Sequence, residues 1–274
     1  MPVATLGVQD QDGFDLSECA LLLMPETDTD LATAAMAQGC LLVSHAITSD
    51  TAPIFMPDVH SPPALSYNQT SLRLAGPELS SLLPVLLELN REHAIVRLNA
   101  TLLRSAEFSG KAGLDELATQ TVNLFNSKDV ESRIYPQQIA FNLLPETPDP
   151  VLVTDLRGIL GNNSYSETLS VTLQSVNVPV FHGLMVAVQI YFDAKISFED
   201  CKNRLSRLDK VTIKDGLVSP ISDCNQSFSC IISLLEQTPD QPSELHFWMI
   251  TDPMRYGLAN NYVNVTDFLL ESFL

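Results

Sequence analysis

Basic residues are scarce: 15 lysines and arginines stand against 33 acidic residues, for a formal charge of −18. A surface of that sign repels a phosphate backbone and an anionic bilayer alike, so nucleic acid and membrane are excluded as partners. Long apolar runs are also missing, and the opening MPVATLGVQDQDGFD has neither the basic stretch nor the apolar core of a secretory signal. The expectation is a cytoplasmic protein. Five cysteines (Cys19, Cys40, Cys201, Cys224, Cys230) are irregularly spaced without a C-x-x-C pair, which rules out a disulfide framework. The closest two, Cys224 and Cys230, read as ordinary thiols in or near neighbouring strands, with a redox couple as the alternative. His45, His60, His93, His182 and His246 lack the i, i+4 spacing that lets two imidazoles share zinc, so no metal is expected. The five N-x-S/T sequons, Asn68 to Thr70 among them, carry no weight in a protein that is not secreted.

One phosphate-binding motif is nearly present. In RSAEFSGKAGLDEL, Arg104 to Leu117, Gly110 and Lys111 open a helix as they do in a P-loop. Such a loop needs a further glycine five positions earlier and a Ser or Thr directly after the lysine. Ser105 and Ala112 occupy those places, so the loop lacks both its backbone cradle and its Mg²⁺ ligand.

What is present is a core. The chain has 274 residues, 45% of them hydrophobic and 18% charged, enough for one large or two modest domains. The stretches at 20–24, 27–39 and 40–47 read as strand, capped helix and strand, the βαβ pattern of a parallel sheet covered on both faces. Proline-rich TAPIFMPDVHSPPAL then reads as an extended crossing between domains. From Glu78 a helix carries Leu79, Leu82, Leu83, Leu86 and Leu87 on one face, with Pro84 expected to kink it. HAIVRLNATLL alternates as a strand, and the helix at 112–125 places Leu114, Leu117, Leu124 and Phe125 on one stripe. Strands are expected at 169–181, 184–193, 229–236 and 244–251. Ser197 and Asp200 cap a helix at 198–208, and a last helix spaces Leu258, Tyr262, Val265 and Leu269 along one face. No internal repeat occurs.

Four blocks, FSGKAGLDELATQTVNLFN, YPQQIAFNLLPE, VNVPVFHGLMVAVQIYF and DPMRYGLANN, stand in the order and spacing seen in aspartate-semialdehyde dehydrogenases. The chain resembles that family nearly end to end, and within it the Usg-type branch of uncertain activity. The resemblance implies an α/β protein with a Rossmann-like N-terminal domain lacking its first βαβ unit, over residues 1–75 and completed by a C-terminal helix at 253–274. Residues 76–252 would form a mixed α/β dimerisation domain of the semialdehyde dehydrogenase type, giving a homodimer. The absent unit would leave a strand edge that another protein covers, unless the missing part lies upstream of residue 1.

Family members form a thioester through a cysteine at a helix start. By the resemblance that cysteine's motif falls on Gly76 and Pro77. The orienting glutamine falls on Arg104, the substrate-binding arginine on Asn177, and the acid-base histidine on Leu184. Four such changes together imply a pseudoenzyme. Two substitutes remain: Ser80 or Ser81 as nucleophile with His182 as base, against helix-start serines as caps and a structural histidine. On the cofactor side no Gly-x-x-Gly-x-x-Gly occurs, and MPET (24–27) replaces the family's next glycine-rich loop. Asp252, Arg255 and Gly257 survive from the nicotinamide-side motif, either as a retained structural turn or as residual binding. No cofactor is expected, with NADP reserved for the case in which an N-terminal βαβ unit precedes this numbering. A separate reading makes Arg104 a sensor for an acidic metabolite, in which case Arg104→Ala would abolish binding with little loss of stability.

Overall fold

A computed structural model describes residues 14–25, 28–47, 54–56, 71–161, 169–224 and 227–273. Contacts divide the chain into two units, Met1–Ala75 with Phe268–Leu274, and Gly76–Asp267.

In the first unit, β1 (Leu21–Leu23), α1 (Thr29–Ala37) and β2 (Leu41–Ser44) form the anticipated βαβ pattern, β1 and β2 being parallel. Asp28 starts α1 by accepting the Leu31 N–H at 2.9 Å, one of the four donors a helix start leaves bare. With β3 (Ile54–Phe55) and β4 (Ser71–Leu74) the order is β1-β2-β4-β3, all parallel, a Rossmann-like sheet. Within the proline-rich stretch only 54–56 are described, and they hold the short strand β3 rather than a plain crossing. The sequon at Asn68, His60, the second half of MPET and the side chain of Cys224 lie outside the described residues. Among the described residues β1 pairs with β2 alone.

The second unit begins with α2 (Pro77–Leu89), which runs through Pro84. Leu79, Leu82, Leu83 and Leu86 are buried and Leu87 is half-buried, but Ser80, Ser81, Val85 and Leu89 are buried too. The helix meets neighbours on several sides, which sequence periodicity alone did not convey. β5 (Ile95–Arg104) leads through a 3₁₀ turn (Ala106–Ser109) into α3 (Gly110–Phe125). Then come β6 (Leu144–Glu146), α4 (Pro150–Leu160), β7 (Ser170–Asn177), β8 (Leu184–Phe192) and α5 (Phe198–Leu205). β9 (Val211–Lys214), β10 (Cys230–Glu236), β11 (Glu244–Thr251) and a π-type turn (Pro253–Ala259) follow, and then α6 (Asn260–Phe273), whose residues from Phe268 on belong to the first unit. The seven strands form one mixed sheet in the order β6-β7-β5-β8-β11-β10-β9. Alternation decides its faces: Leu184, Val186, Val188, Ile190 and Phe192 of β8 are buried, and the intervening residues are only partly so. α2 contacts α4 and α5, and α4 lies on β7, so the helices cover one face. The other face is an open groove that includes Asn99, Thr101, Gln189, His246 and Trp248.

Two expectations are corrected. The strand read as 169–181 ends at Asn177, because Pro179 has no N–H to donate and the chain turns. Phe125 is not on the buried stripe: Leu117 is buried and Leu114 and Leu124 partly so, but Phe125, the last residue of α3, is 77% exposed. Residues 253–267, assigned by the resemblance to the first domain, group with the second unit. The reason is local, since the π-type turn packs on α2 and the Asn261 amide donates to Ser80 Oγ at 2.6 Å.

The two motif blocks around α3 hold each other. The carboxylate of Glu116 accepts the N–H groups of Arg133, Ile134 and Tyr135, and Gln120 Oε1 accepts those of Ile139 and Ala140. Gly113 lets α3 approach, because a Cβ there would sit 2.5 Å from Ser109 Cβ and 2.8 Å from Ala106 O. Lys111 is exposed and pairs with Asp115. The Gly-Lys stretch is thus a packed helix start.

Candidate active site

Strand register assembles the site. β5 pairs Arg104 with Asn177 of β7 on one side and with Leu184 of β8 on the other, and β8 pairs Leu184 with Thr251 of β11. Residues directly opposite on adjacent strands project to the same face. Three of the four positions to which the resemblance assigns catalytic roles therefore stand in one row at the sheet's end. The fourth, Pro77, is the first residue of α2, and Glu78 beside it reaches Arg104.

Arg104 is heavily engaged. Its Nη1 lies 2.8 Å from Glu146 Oε2, its Nε 3.3 Å from Glu78 Oε1, and its guanidinium 4.7 Å from the centre of the Phe108 ring. The Nε is buried and finds no well-aligned hydrogen bond, so the contact with Glu78 is electrostatic. Asn177 Nδ2 also donates to Glu146 Oε2, at 3.1 Å. Burial pushes the Glu78 carboxyl above its ordinary value of 4.5, and the charge of Arg104 pulls it partly back. An incoming anion would have to displace carboxylates the chain already supplies.

A second carboxylate organises the other side. Ala106 donates to Val180 O at 2.8 Å and Glu107 to Phe181 O at 3.1 Å, which holds the 3₁₀ turn alongside the segment after β7. The Glu107 side chain, 9% exposed, accepts from Gly183 N and Ser105 Oγ and stands 3.1 Å from His182 Nδ1. The imidazole of His182 is 49% exposed. This is a carboxylate-oriented histidine two residues before Leu184 of the row.

Ser80 and Ser81 are bonded and buried. Ser81 Oγ donates to Pro77 O at 2.7 Å and lies 3.1 Å from Thr251 Oγ1, and Ser80 Oγ receives the Asn261 amide. Cys230, opposite Thr251 in the same row, is fully buried. Among the described residues, no exposed thiol or hydroxyl stands at the start of α2. Of Asp252, Arg255 and Gly257, which the resemblance assigns to the nicotinamide side, Gly257 packs against the same helix start. Asp252 is 6% exposed, accepts the Arg255 N–H at 3.0 Å and lies 3.6 Å from its guanidinium. A Cβ on Gly257 would sit 3.1 Å from Pro77 O.

Sequence reasoning did not single out Glu146 or Glu107. Glu146 closes the YPQQIAFNLLPE block, and Glu107 lies within the stretch read for a phosphate loop, but only register and turn geometry bring them to Arg104 and His182.

A parallel Rossmann-like sheet in one unit and a mixed seven-stranded sheet in the other define an α/β protein. Residues 96–256 match the family model described as semialdehyde dehydrogenase, dimerisation domain. The chain belongs to the aspartate-semialdehyde dehydrogenase family. It is similar to the aspartate-semialdehyde dehydrogenase of Legionella pneumophila, at 26% identity over 98% of this chain and 83% of that protein. To aspartate-semialdehyde dehydrogenase 2 of Vibrio cholerae it is 27% identical over 98% of this chain and 84% of that one. Among solved structures, the Vibrio cholerae aspartate semialdehyde dehydrogenase II complexed with ASA superposes with a TM-score of 0.85 at 25% identity, covering 97% of this chain and 84% of the other.

Proposed function

We propose that this chain is a catalytically inactive member of its family, of the Usg type, acting in the cytoplasm through dimerisation or binding. The observation that carries the reading is the helix start at Pro77: where the family resemblance expects a thiol there is a proline, and the hydroxyls nearby are buried and bonded. Loss of the nucleophile removes the covalent path, and loss of the acid-base group alone typically costs ~10²–10⁴ in rate. Turnover of aspartate semialdehyde with NADP is the test. A rate near that of active relatives would sink the reading.

No dinucleotide is part of this proposal. Asp252 is committed to Arg255, and Gly257 serves the packing of α2, so the retained motif fits a structural turn better than a cofactor contact. Calorimetry with NADP and NAD at millimolar concentration checks this, no heat being the expected result.

A second reading is a reassigned oxidoreductase of the aldehyde or acyl-phosphate class in amino-acid biosynthesis. The Glu107–His182 pair favours it, because an oriented imidazole is the usual proton carrier of such chemistry. His182→Ala would then abolish whatever turnover is found.

A homodimer formed through the open face of the seven-stranded sheet belongs to the leading reading. Trp248, the single tryptophan, lies on that face. Its emission should shift on dilution together with the measured mass, and an emission independent of mass would place the interface elsewhere.

A further inference from the structure

Two cysteines of the first unit lie together without any role in the site described above. Cys19 follows the short 3₁₀ turn Leu16–Glu18 and Cys40 directly precedes β2. Both converge on one carbonyl: Leu16 O accepts the Cys19 N–H at 3.1 Å and the Cys40 thiol at 3.3 Å. The residues that follow them are joined as well, Leu41 N donating to Ala20 O at 2.9 Å at the head of the parallel β1/β2 ladder. The two segments tied at that point hold Cys19 and Cys40 side by side, the arrangement that a disulfide needs. Both thiols are free, Cys19 partly exposed and Cys40 fully buried. Burial raises the pKa of Cys40, and its contact with the Cys19 thiol raises it further.

We propose that Cys19 and Cys40 are a redox-active pair that closes to an intrachain disulfide by exchange with a low-molecular-weight disulfide. The difference in exposure assigns the roles. Cys19 is the thiol a reagent reaches: its thiolate attacks one sulfur of the small disulfide, that S–S bond breaks, and the departing thiolate takes up a proton. The product is a mixed disulfide on Cys19. Cys40 then loses its proton and attacks Cys19 Sγ, expelling the second small thiol. Two protein thiols are oxidised, and one small disulfide is reduced to two thiols. Burial makes Cys40 a poor nucleophile toward reagents in solution, and proximity to Cys19 makes it an effective one within the chain. The other described thiols, Cys201 and Cys230, are buried and belong to the second unit. The closed bond clips the 3₁₀ turn to the head of β2, across the chain segment that contains α1.

The experiment uses the full chain, reduced, freed of reductant, and equilibrated with oxidised and reduced glutathione over a range of ratios. Free thiols are then alkylated under denaturing conditions and the peptides identified by mass. The expected result is a linked peptide joining Cys19 to Cys40, with Cys201 and Cys230 recovered as alkylated peptides. Cys40→Ala should leave Cys19 trapped as its glutathione adduct, whereas Cys19→Ser should consume no thiol at position 40. Cys40 and Cys19 recovered as separate alkylated peptides in oxidised wild-type protein would overturn the proposal. So would glutathione retained on wild-type Cys19 to the same extent as on the Cys40→Ala variant. The wild-type peptide map alone decides the matter if a variant does not fold.

Discussion

The guanidinium of Arg104 and the carboxylate of Glu146 meet at 2.8 Å, joining the last residue of β5 to the last residue of β6 across the intervening strand β7. Where one reading of the sequence makes Arg104 a sensor for an acidic metabolite, the guanidinium is already bound by the chain's own acids. The expectation that Arg104→Ala leaves stability intact therefore changes. Removing the cation strands Glu78, whose side chain is only 19% exposed, and should cost about 1–3 kcal/mol. Glu146→Gln, at a carboxylate 43% exposed, should cost no more than about 1 kcal/mol. Urea unfolding of the two variants checks the order, and equal losses would show that Glu78 does not depend on Arg104.

Glu78 also sets a pH dependence. The folded chain holds this proton more tightly than the unfolded chain does, since burial outweighs the pull of Arg104. The stability it contributes is whole below the ordinary value of 4.5 and is lost as pH rises through the raised value. Relative to wild type, Glu78→Gln should gain stability between about pH 4 and about pH 7. Unfolding curves at the two pH values measure the difference, and a change of opposite sign would contradict the assignment.

Gly257 is required by contact. A methyl group there would stand 3.1 Å from Pro77 O and 3.2 Å from Ser80 Cβ, atoms fixed by the first turn of α2. Gly257→Ala should destabilise the protein by about 1–3 kcal/mol through overpacking. A thermal midpoint equal to wild type would mean that the turn and α2 can separate freely.

Ser81 joins α2 to β11 through Thr251. Ser81→Ala removes a buried hydroxyl and deprives Thr251 Oγ1 of that contact, at an expected cost of about 1–3 kcal/mol. Any turnover should be unaffected, because the hydroxyl is fully buried. Loss of turnover without loss of stability would restore Ser81 as a nucleophile.

Phe125 and α4 mark the two ways in which sequence fell short, and the elements around them show where it was sufficient. The βαβ pattern of β1, α1 and β2 was legible because continuous apolar runs flank a capped helix. The alternation of β8 and β11 was legible because each has one face covered. α4 was overlooked, although Asp149 accepts the Val151 N–H, Pro150 stands at the first helical position, and Leu152, Leu156 and Leu160 are all buried. Those signals were local and available. β6 and β9, of three and four residues, are too short for periodicity and owe their pairing to longer neighbours. Phe125 met the helical spacing and still faces solvent, since periodicity fixes a direction and not what lies there. The candidate site divided the same way: the family resemblance pointed to Pro77, Arg104, Asn177 and Leu184, but Glu146 and Glu107 became visible only through strand register and the turn after β5.

The clasp that Glu116 and Gln120 make on residues 133–140 has a kinetic consequence. That stretch contains neither helix nor strand, yet at least five of its amide hydrogens end on two side chains of α3. Those amides should exchange with deuterated solvent at rates set by opening of α3 and not by local fraying. An irregular segment would then carry the protection pattern of the helix that grips it.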